Sequence, residues 1–366
     1  MNFYNSFIVQ AQDMEKNDLI LSICIPTYNG MPNILKSLKY IEKAFLPYNE
    51  HLEICISDNG SDDDTFKNIS QFMKVTSLKI KIHHFVQNEG FDRNILKVLD
   101  MSKGKFAWLF GDDEFLIKKE AIKVFKLLSE IQINNDVLLY QVGVISYTKE
   151  KKFRKKIVSK KENEILKSEA IFQTPAFIST IIFNKMYIDE ILSSNQNIVQ
   201  DGINCQYIHE WIIRLSLLKI NHLKIMKLPF TAILSKPSWQ ENRQLISQIR
   251  FMFESIKRYN IFLIDKNYRL IYYKLKFLHF LHIMFDLILA RMFCKNKFDI
   301  KLIKLILNQD IKFHILIIFY LILYLIPNRF ITIFYNFFKK FIFLFNIKTE
   351  LDLSETEKKW KEYIKN

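Results

Sequence analysis

Three acidic residues in a row, Asp112-Asp113-Glu114, follow directly on an apolar stretch, Lys105 to Phe110, with Gly111 at the turn between them. Adjacent carboxylates repel one another and lose solvation at the end of a buried strand, so the cluster is costly unless a counter-charge binds. A hard divalent cation, Mg2+ or Mn2+, suits them, because it takes carboxylate and phosphate oxygens together. A cation held there would neutralise a diphosphate as it leaves. An ordinary solvated turn carries the same residue types, so the triplet alone does not decide.

A second constellation is Asp58-Asn59-Gly60-Ser61. Read locally, Ser61 opens a helix with Asp64 as its capping-box partner. Asp62, Asp63 and Asp64 then occupy the first helical turn, where the dipole favours them. Thr27 and Asn29, and later Asn88, are further polar residues that each come just after an apolar run.

Those runs read as strands. Leu19 to Pro26 and Leu52 to Ile56 are short, apolar and rich in β-branched residues, as buried strands are. Leu78, Ile80 and Ile82 alternate with lysines and predict a half-buried strand. Lys105 to Phe110, Val137 to Ile145 and Phe177 to Phe183 complete the set. Between them, Ile34, Leu35, Leu38, Ile41 and Phe45, and then Ile95, Leu96, Val98 and Leu99, recur at helical spacing. His209 to Leu218 reads as a helix with one apolar side. Strands alternating with helices predict an α/β fold: a Rossmann-like, mainly parallel mixed sheet with helices on both faces. In an open sheet of this kind ligands bind beyond the carboxyl ends of the strands. Thr27, Asn29, Asp58, Asn59, Asn88, Asp112 and Asp113 all fall there.

The chain has 366 residues and a formal net charge of +15, and 49% of its residues are apolar, enough for a large core and too apolar for a disordered chain. A basic protein seeks an anionic partner: nucleic acid, anionic lipid or phosphorylated small molecules. From about Arg250 aromatic and aliphatic residues dominate, interleaved with lysines, and Ile315 to Ile326 is uninterrupted by charge. That run is shorter than the roughly 20 residues a spanning helix needs. Between Arg291 and Lys348 ten basic residues stand against two acidic ones, the pattern of a segment near anionic lipid. This predicts interfacial helices lying on a membrane, the alternative being a helical hairpin buried in a core or between two copies. Basic residues set among long aliphatic runs favour lipid over nucleic acid. Met1 to Asp18 is polar and does not read as a signal peptide. None of Cys24, Cys55, Cys205 and Cys294 forms a C-x-x-C pair, so all four read as reduced and structural, which fits a cytoplasmic face. Lys149 to Glu164 is a charge run expected as an exposed loop or hairpin.

Taken together and in order, these elements resemble family 2 glycosyltransferases with the GT-A fold, and more loosely their abequosyltransferase-like branch. Ser22 to Asn29 is similar to that family's first strand and P-T-Y-N turn, which includes Pro26. Ile56 to Ser61 is similar to its D-N-G-S turn, and Asn88-x-Gly90-x-x-x-Asn94 to its N-x-G-x-x-x-N element. Gly104 and Phe106 to Asp113 are similar to its D-x-D-D strand end. The chain departs from the last pattern by carrying Gly111 where the family often has Asp.

The resemblance implies a nucleotide-sugar donor such as a UDP-sugar, with Thr27 and Asp58 at the nucleobase, Asn29 near by, and Asn88, Arg93 and Asn94 on the ribose and diphosphate side. Asp113 would hold Mg2+ or Mn2+, with Asp112 near the ribose and metal. His209-Glu210-Trp211-Ile212-Ile213-Arg214-Leu215 resembles the segment that carries the family's catalytic base, which places Glu210 in that role, with His209 and Asp201 in reserve. Read on its own, Glu210 is a helix-start carboxylate balanced by Arg214 at i+4, and His209 a core histidine. In the loop Ser235 to Arg243, Trp239 would stack on a sugar, and Lys236 or Arg243 would meet a phosphate. The implied whole is an inverting, metal-dependent glycosyltransferase acting on a glycan or lipid-linked oligosaccharide in surface polysaccharide assembly. Residues 1–245 would form its GT-A domain and 246–366 a helical membrane-associating region, at the cytoplasmic face of the inner membrane. A membrane-bound scaffold that kept the fold and lost turnover is the alternative.

Overall fold

A computed structural model describes residues 19–131, 136–147, 153–157, 164–166, 177–203, 207–220 and 222–235, and in the C-terminal part 260–261, 315–325 and short helical stretches between 269 and 340. The chain divides into two compact units, Met1–Pro237 and Ser238–Asn366.

The first unit is built on a mixed sheet in which β3 (Ile80–His84), β2 (Leu52–Asp58), β1 (Leu21–Thr27), β4 (Phe106–Leu109), β9 (Ile181–Asn184), β6 (Val137–Tyr147), β10 (Lys224–Ser235) and β5 (Glu114–Leu116) lie side by side in that order. β1 and β2 are buried along their whole length, as their β-branched runs require on a sheet covered on both faces. β3-β2-β1-β4 pair in parallel. Antiparallel pairing begins at β9 and parallel pairing returns between β6 and β10, so the sheet is mixed, and the four-stranded parallel block β3-β2-β1-β4 carries the motifs.

The order of β1 to β4 follows from right-handed crossovers. α1 (Asn33–Phe45) and α2 (Thr65–Met73) carry the chain outward from β1 through β2 to β3. α3 (Phe91–Met101) then carries it back past β1 to β4 and packs on β1 and β2. The direction of travel therefore reverses between β1 and β4. α4 (Lys118–Glu130) packs with α1 and on β10, while α5 (Lys185–Ser194), α6 (Gln196–Gly202) and α7 (Ile208–Lys219) pack together, with α7 against α3.

Three expectations change. α2 begins at Thr65, not at Ser61, because the Ser61 hydroxyl is drawn to Asp58 and to the Asn29 N–H, and Asp62 to Asp64 form the bend before the helix. Phe177 to Phe183 is a strand only from Ile181; residues Ile178–Thr180 form a 3-10 turn. α7 has no polar side: every residue from Ile208 to Leu218 is buried, because α3, α5 and α6 all pack on it. The charge run forms a hairpin in its described part, with β7 (Phe153–Ile157) antiparallel to β6, and β8 (Glu164–Leu166) pairs with β10. Cys24 and Cys55 are free and buried. Burial pushes the Cys24 thiol up and, with the Glu53 charge near by, the Cys55 thiol up to about 12, which leaves both chemically inert. Cys205, Cys294 and Met1 to Asp18 lie outside the described residues.

One buried charge ties the parallel strands together. Glu53 on β2 is 2% exposed and accepts from the Ser22 hydroxyl (2.7 Å) and the Lys103 N–H (2.7 Å), and pairs with Lys81 (2.6 Å). Burial opposes its ionisation, but the bonds from Lys81, Ser22 and Lys103 win, and the carboxyl sits below its ordinary 4.5. Such an acid adds stability above the unfolded-chain value and loses it as pH falls through the lower folded value. Glu53→Gln is therefore expected to cost about 1.5–3 kcal/mol in denaturant unfolding at neutral pH. The gap to the parent should shrink as the pH falls below 4.5; a gap that does not depend on pH would contradict the assignment.

Candidate functional site

The reversal of winding between β1 and β4 opens a crevice at the carboxyl ends of the parallel strands, where an open α/β sheet takes its ligand. Across it the Thr27 hydroxyl, at the end of β1, donates to Asp112 Oδ2 at 2.5 Å. Gly30 lies against this bond: a Cβ there would stand 2.3 Å from Thr27 Oγ1 and 2.6 Å from Asp112 Oδ2.

The acidic turn is held from several sides. The Ser37 hydroxyl on α1 bonds to the carbonyls of Asp112 (3.0 Å) and Glu114 (2.5 Å). The Ser179 hydroxyl accepts the Gly111 N–H at 2.8 Å, and the Ser179 carbonyl accepts the Trp108 indole N–H at 2.9 Å. The departure at Gly111 has a steric reason: a Cβ there would meet Glu114 Cγ at 2.8 Å and Ser179 Oγ at 3.3 Å. Glu114 is buried, 3% exposed, and opens β5, whereas Asp112 and Asp113 are half-buried. Loss of solvation pushes the Asp112 carboxyl up to about 6; the Thr27 bond opposes this, and the charges of Asp113 and Asp63 add to it.

Asp58, fully buried at the end of β2, is fixed at both oxygens. Oδ1 accepts from the Ser61 hydroxyl and from its N–H (3.3 Å), and Oδ2 lies 2.7 Å from His84 Nδ1 at the end of β3. The His84 ring packs on Phe66 at 4.6 Å. Ser61 Oγ accepts the Asn29 N–H at 2.8 Å, and Asn29, at φ +51°, accepts the Asp62 N–H through its side chain at 3.1 Å. Asp63 reaches across to the N–H groups of Met31 (3.4 Å) and Thr65 (2.9 Å). The acidic run thus stitches the loop after β1 to the loop after β2.

A ladder of amides completes the edge. Asn59 Nδ2 donates to Asn88 Oδ1 (2.9 Å), which also accepts the Gly90 N–H (2.9 Å), while Asn59 Oδ1 accepts the Glu89 N–H (2.9 Å). Asn94, 3% exposed on α3, donates to the Thr27 carbonyl at 3.2 Å, and its Oδ1 has no hydrogen-bond partner among the described residues. Arg93 beside it is exposed. The structure therefore brings Pro26, Thr27, Asn29, Asp58, Asn88, Asn94, Asp112 and Asp113 to the same edge of the sheet.

The α7 segment approaches through α3. Asp92 Oδ1 accepts the Ile208 N–H at 3.0 Å, and the rings of Phe91 and His209 meet edge-on at 6.3 Å. Glu210, 5% exposed, pairs with Arg214 at 2.7 Å, the i+4 pairing that its position allows. His209 is fully buried between aromatic neighbours, with Tyr207 at 5.5 Å. Asp201 is exposed on α6. Trp239, Lys236 and Arg243 lie outside the described residues.

Among the described residues no three His, Cys, Asp or Glu side chains converge as a metal cluster. The acidic turn offers two adjacent carboxylates, and a divalent cation there would draw its other ligands from a bound phosphate and water. The negative charge shared by Asp112, Asp113 and Asp63 is the property of the site that fits such a cation.

Residues 22–192 match the profile of glycosyl transferase family 2. Over 103 residues the chain is 36% identical to abequosyltransferase RfbV of Salmonella typhimurium, covering 27% of this chain and 30% of that protein. Over 115 residues it is 28% identical to an uncharacterised protein of Methanocaldococcus jannaschii, covering 30% of this chain and 46% of that one. The matches thus span less than half of either relative's length. Among solved structures, S. aureus TarS 1-349 in complex with UDP-GlcNAc superposes with a TM-score of 0.52 at 14% identity, over 78% of this chain and 79% of that one. Mannosyltransferase PcManGT from Pyrobaculum calidifontis, in complex with GDP-Man and Mn2+, superposes at 0.51 and 13% identity, over 84% and 86%. At such identities the superpositions establish the GT-A-like α/β fold.

The contact at Gly30 generates a direct test. Gly30→Ala must displace Thr27 or Asp112, and overpacking of this kind costs about 1–3 kcal/mol. The variant should unfold at lower denaturant by that amount; stability equal to the parent would mean that the Thr27–Asp112 contact is not as tight as described.

Proposed function

We propose that this chain, whose residues 22–192 match the profile of glycosyl transferase family 2, transfers a sugar from a nucleoside-diphosphate donor to a glycan acceptor, with inversion at the anomeric carbon. The observation that carries this reading is the Thr27–Asp112 bond across the strand-end crevice, flanked by the anchored Asp58 carboxylate and the Asn94 carbonyl oxygen, which has no partner among the described residues.

In this reading Asp58 and the β1 loop, Pro26 to Asn29, meet the nucleobase, and Asn88, Arg93, Asn94 and Asp112 line the ribose and diphosphate. Thr27 acts through its hydroxyl by orienting Asp112. Asp113 and Asp112 would hold Mg2+ or Mn2+, which when bound supplies positive charge to the departing diphosphate. The acceptor hydroxyl oxygen forms its bond to the anomeric carbon as the bond from that carbon to the diphosphate oxygen breaks. Glu210 takes the hydroxyl proton, and Arg214 holds its carboxylate in one orientation. PcManGT, with GDP-Man and Mn2+, supports the expectation of a metal, and TarS with UDP-GlcNAc that of a nucleotide sugar.

The acceptor we assign is lipid-linked, as in surface polysaccharide assembly, presented at the cytoplasmic face of a membrane. Support comes from the second unit. In the helix Ile315–Leu325, Ile315, Ile318, Ile322 and Leu325 recur on one face and are 57, 59, 48 and 82% exposed, while Leu316 and Leu323 are buried. Phe330, Ile333 and Phe337 repeat the pattern. Large exposed apolar faces are costly in water. Among the described residues no helix is long and apolar enough to cross a membrane. An 11-residue helix spans about 16 Å. A helix of that length suits the interface of a bilayer whose core is about 30 Å thick. The excess of basic residues around it matches anionic headgroups.

Three measurements test these assignments. Thermal unfolding with UDP, GDP, CDP and dTDP, each with and without Mn2+, is expected to show one nucleotide whose stabilisation needs the metal and disappears in Asp113→Asn. Glu210→Gln should keep that stabilisation and lose about 10²–10⁴-fold in turnover of the matching nucleotide sugar. No stabilisation by any of the four would remove the donor assignment. Flotation with vesicles should show binding to phosphatidylglycerol-containing bilayers that weakens with salt and falls in Ile318→Glu/Ile322→Glu. A concentration-dependent dimer that the same substitutions disrupt, without vesicle binding, would assign the face to a second copy instead.

A further inference from the structure

α3 carries Arg93 and Asn94 to the donor side of the proposed site, and α7 carries Glu210 to the acceptor side. The residue that joins the two helices had no role in the sequence motif, where it falls among the unspecified positions between Gly90 and Asn94. Asp92 is 3% exposed and sits in the first turn of α3, where its charge favours the helix dipole. Its Oδ1 also accepts the Ile208 N–H, the first of α7, at 3.0 Å across 116 residues of chain. One buried carboxylate therefore serves two helix N-termini.

The bond is not replaceable by local capping. α7 starts in the interior of the protein, and its N-cap residue, Tyr207, gives no side-chain cap. A buried helix end without such a partner leaves N–H groups unsatisfied at a cost of about 1–3 kcal/mol each. The other anchor of the same turn is Trp211, which packs against Gly202 and donates its indole N–H to the Ile198 carbonyl at 3.0 Å on α6. Trp211 fixes α7 to its own neighbours in sequence; Asp92, beside the Phe91–His209 ring contact, supplies the hydrogen bond that fixes it to the helix that holds Asn94.

We propose that Asp92 is a positioning residue that couples donor occupancy on α3 to the placement of the first turn of α7, and so of Glu210. The inference rests on the donor site proposed above. A donor whose diphosphate meets Arg93 and whose ribose hydroxyl donates to Asn94 Oδ1 settles the first turn of α3, and Asp92 passes that order to the first turn of α7 through the Ile208 N–H.

Hydrogen exchange of the full chain tests this, with the nucleoside diphosphate and Mn2+ that give the thermal shift. In the parent, the nucleotide should slow exchange in peptides covering residues 207–214. In Asp92→Ala those peptides should exchange about tenfold faster or more, in line with loss of a charged hydrogen bond, and no longer respond to nucleotide. The nucleotide should still stabilise that variant thermally. Asp92→Asn keeps an acceptor oxygen and should restore the response, and it serves alone if the alanine variant does not fold. A full response in Asp92→Ala, none in the parent, none in a folded Asp92→Asn, or loss of nucleotide stabilisation together with the response would each overturn the proposal. Failure of every nucleotide to stabilise the parent would instead strike the donor site on which it rests.

Discussion

The chain winds outward from β1 to β3 and then returns to lay β4 against β1, and this reversal is the constraint on which the rest of the site depends. Where the winding changes direction, the ends of β1 and β4 lie side by side. The chain places a hydroxyl on one and a carboxylate on the other, Thr27 and Asp112, and closes the gap with a single hydrogen bond. Gly30 is small because that bond leaves no room for a side chain. Asp58, Asn59 and Asn88 extend the same edge outward over β2 and β3, and Asn94 ties α3 to the carbonyl of Thr27.

A site of this kind concentrates negative charge where the fold gives it little water. The fold tolerates the acidic turn because the backbone around it is satisfied by Ser37 and Ser179, so that the repulsion cannot relax by unwinding the turn. Loss of solvation first, and the charges of Asp113 and Asp63 after it, push the Asp112 carboxyl up. In the proposed function, charge held in this way suits a cation and a diphosphate, which between them would complete the coordination that two carboxylates leave open. Glu53, by contrast, is a buried acid whose three partners fully compensate it, and it serves the scaffold.

Much of this was legible from the residues alone, for a physical reason: buried parallel strands are apolar runs, and functional groups must follow them at the carboxyl ends. Strands β1 to β4, helices α1 and α3, and Thr27, Asp58, Asn88, Asp112 and Asp113 were found in that way. The errors came where a distant partner overrides local chemistry. Ser61, Asp62 and Asp63 have the pattern of a helix start, yet they bind the β1 loop and Asp58. The helix α7 carries His, Glu, Arg and Ser at positions that read as a polar side, yet three helices bury it all round. Ser37, His84, Asp92 and Ser179 act through partners 26 to 116 residues away, and nothing in their immediate neighbours in the chain announces it. Trp239 and its loop fall outside the described residues.

The central claim is that the acidic turn and the amide edge beside it form one donor site, in which metal and diphosphate bind together. Mn2+ binding followed by the loss of its free-ion electron paramagnetic resonance signal tests it most directly, in titrations with and without each nucleoside diphosphate. Two carboxylates fill only a minority of the roughly six positions around such an ion, so Mn2+ alone should bind weakly. One nucleoside diphosphate should tighten its binding by about tenfold or more, with the converse tightening of the nucleotide by Mn2+ that linkage demands. Mn2+ affinity that no nucleoside diphosphate changes would contradict the claim and separate the acidic turn from any donor site.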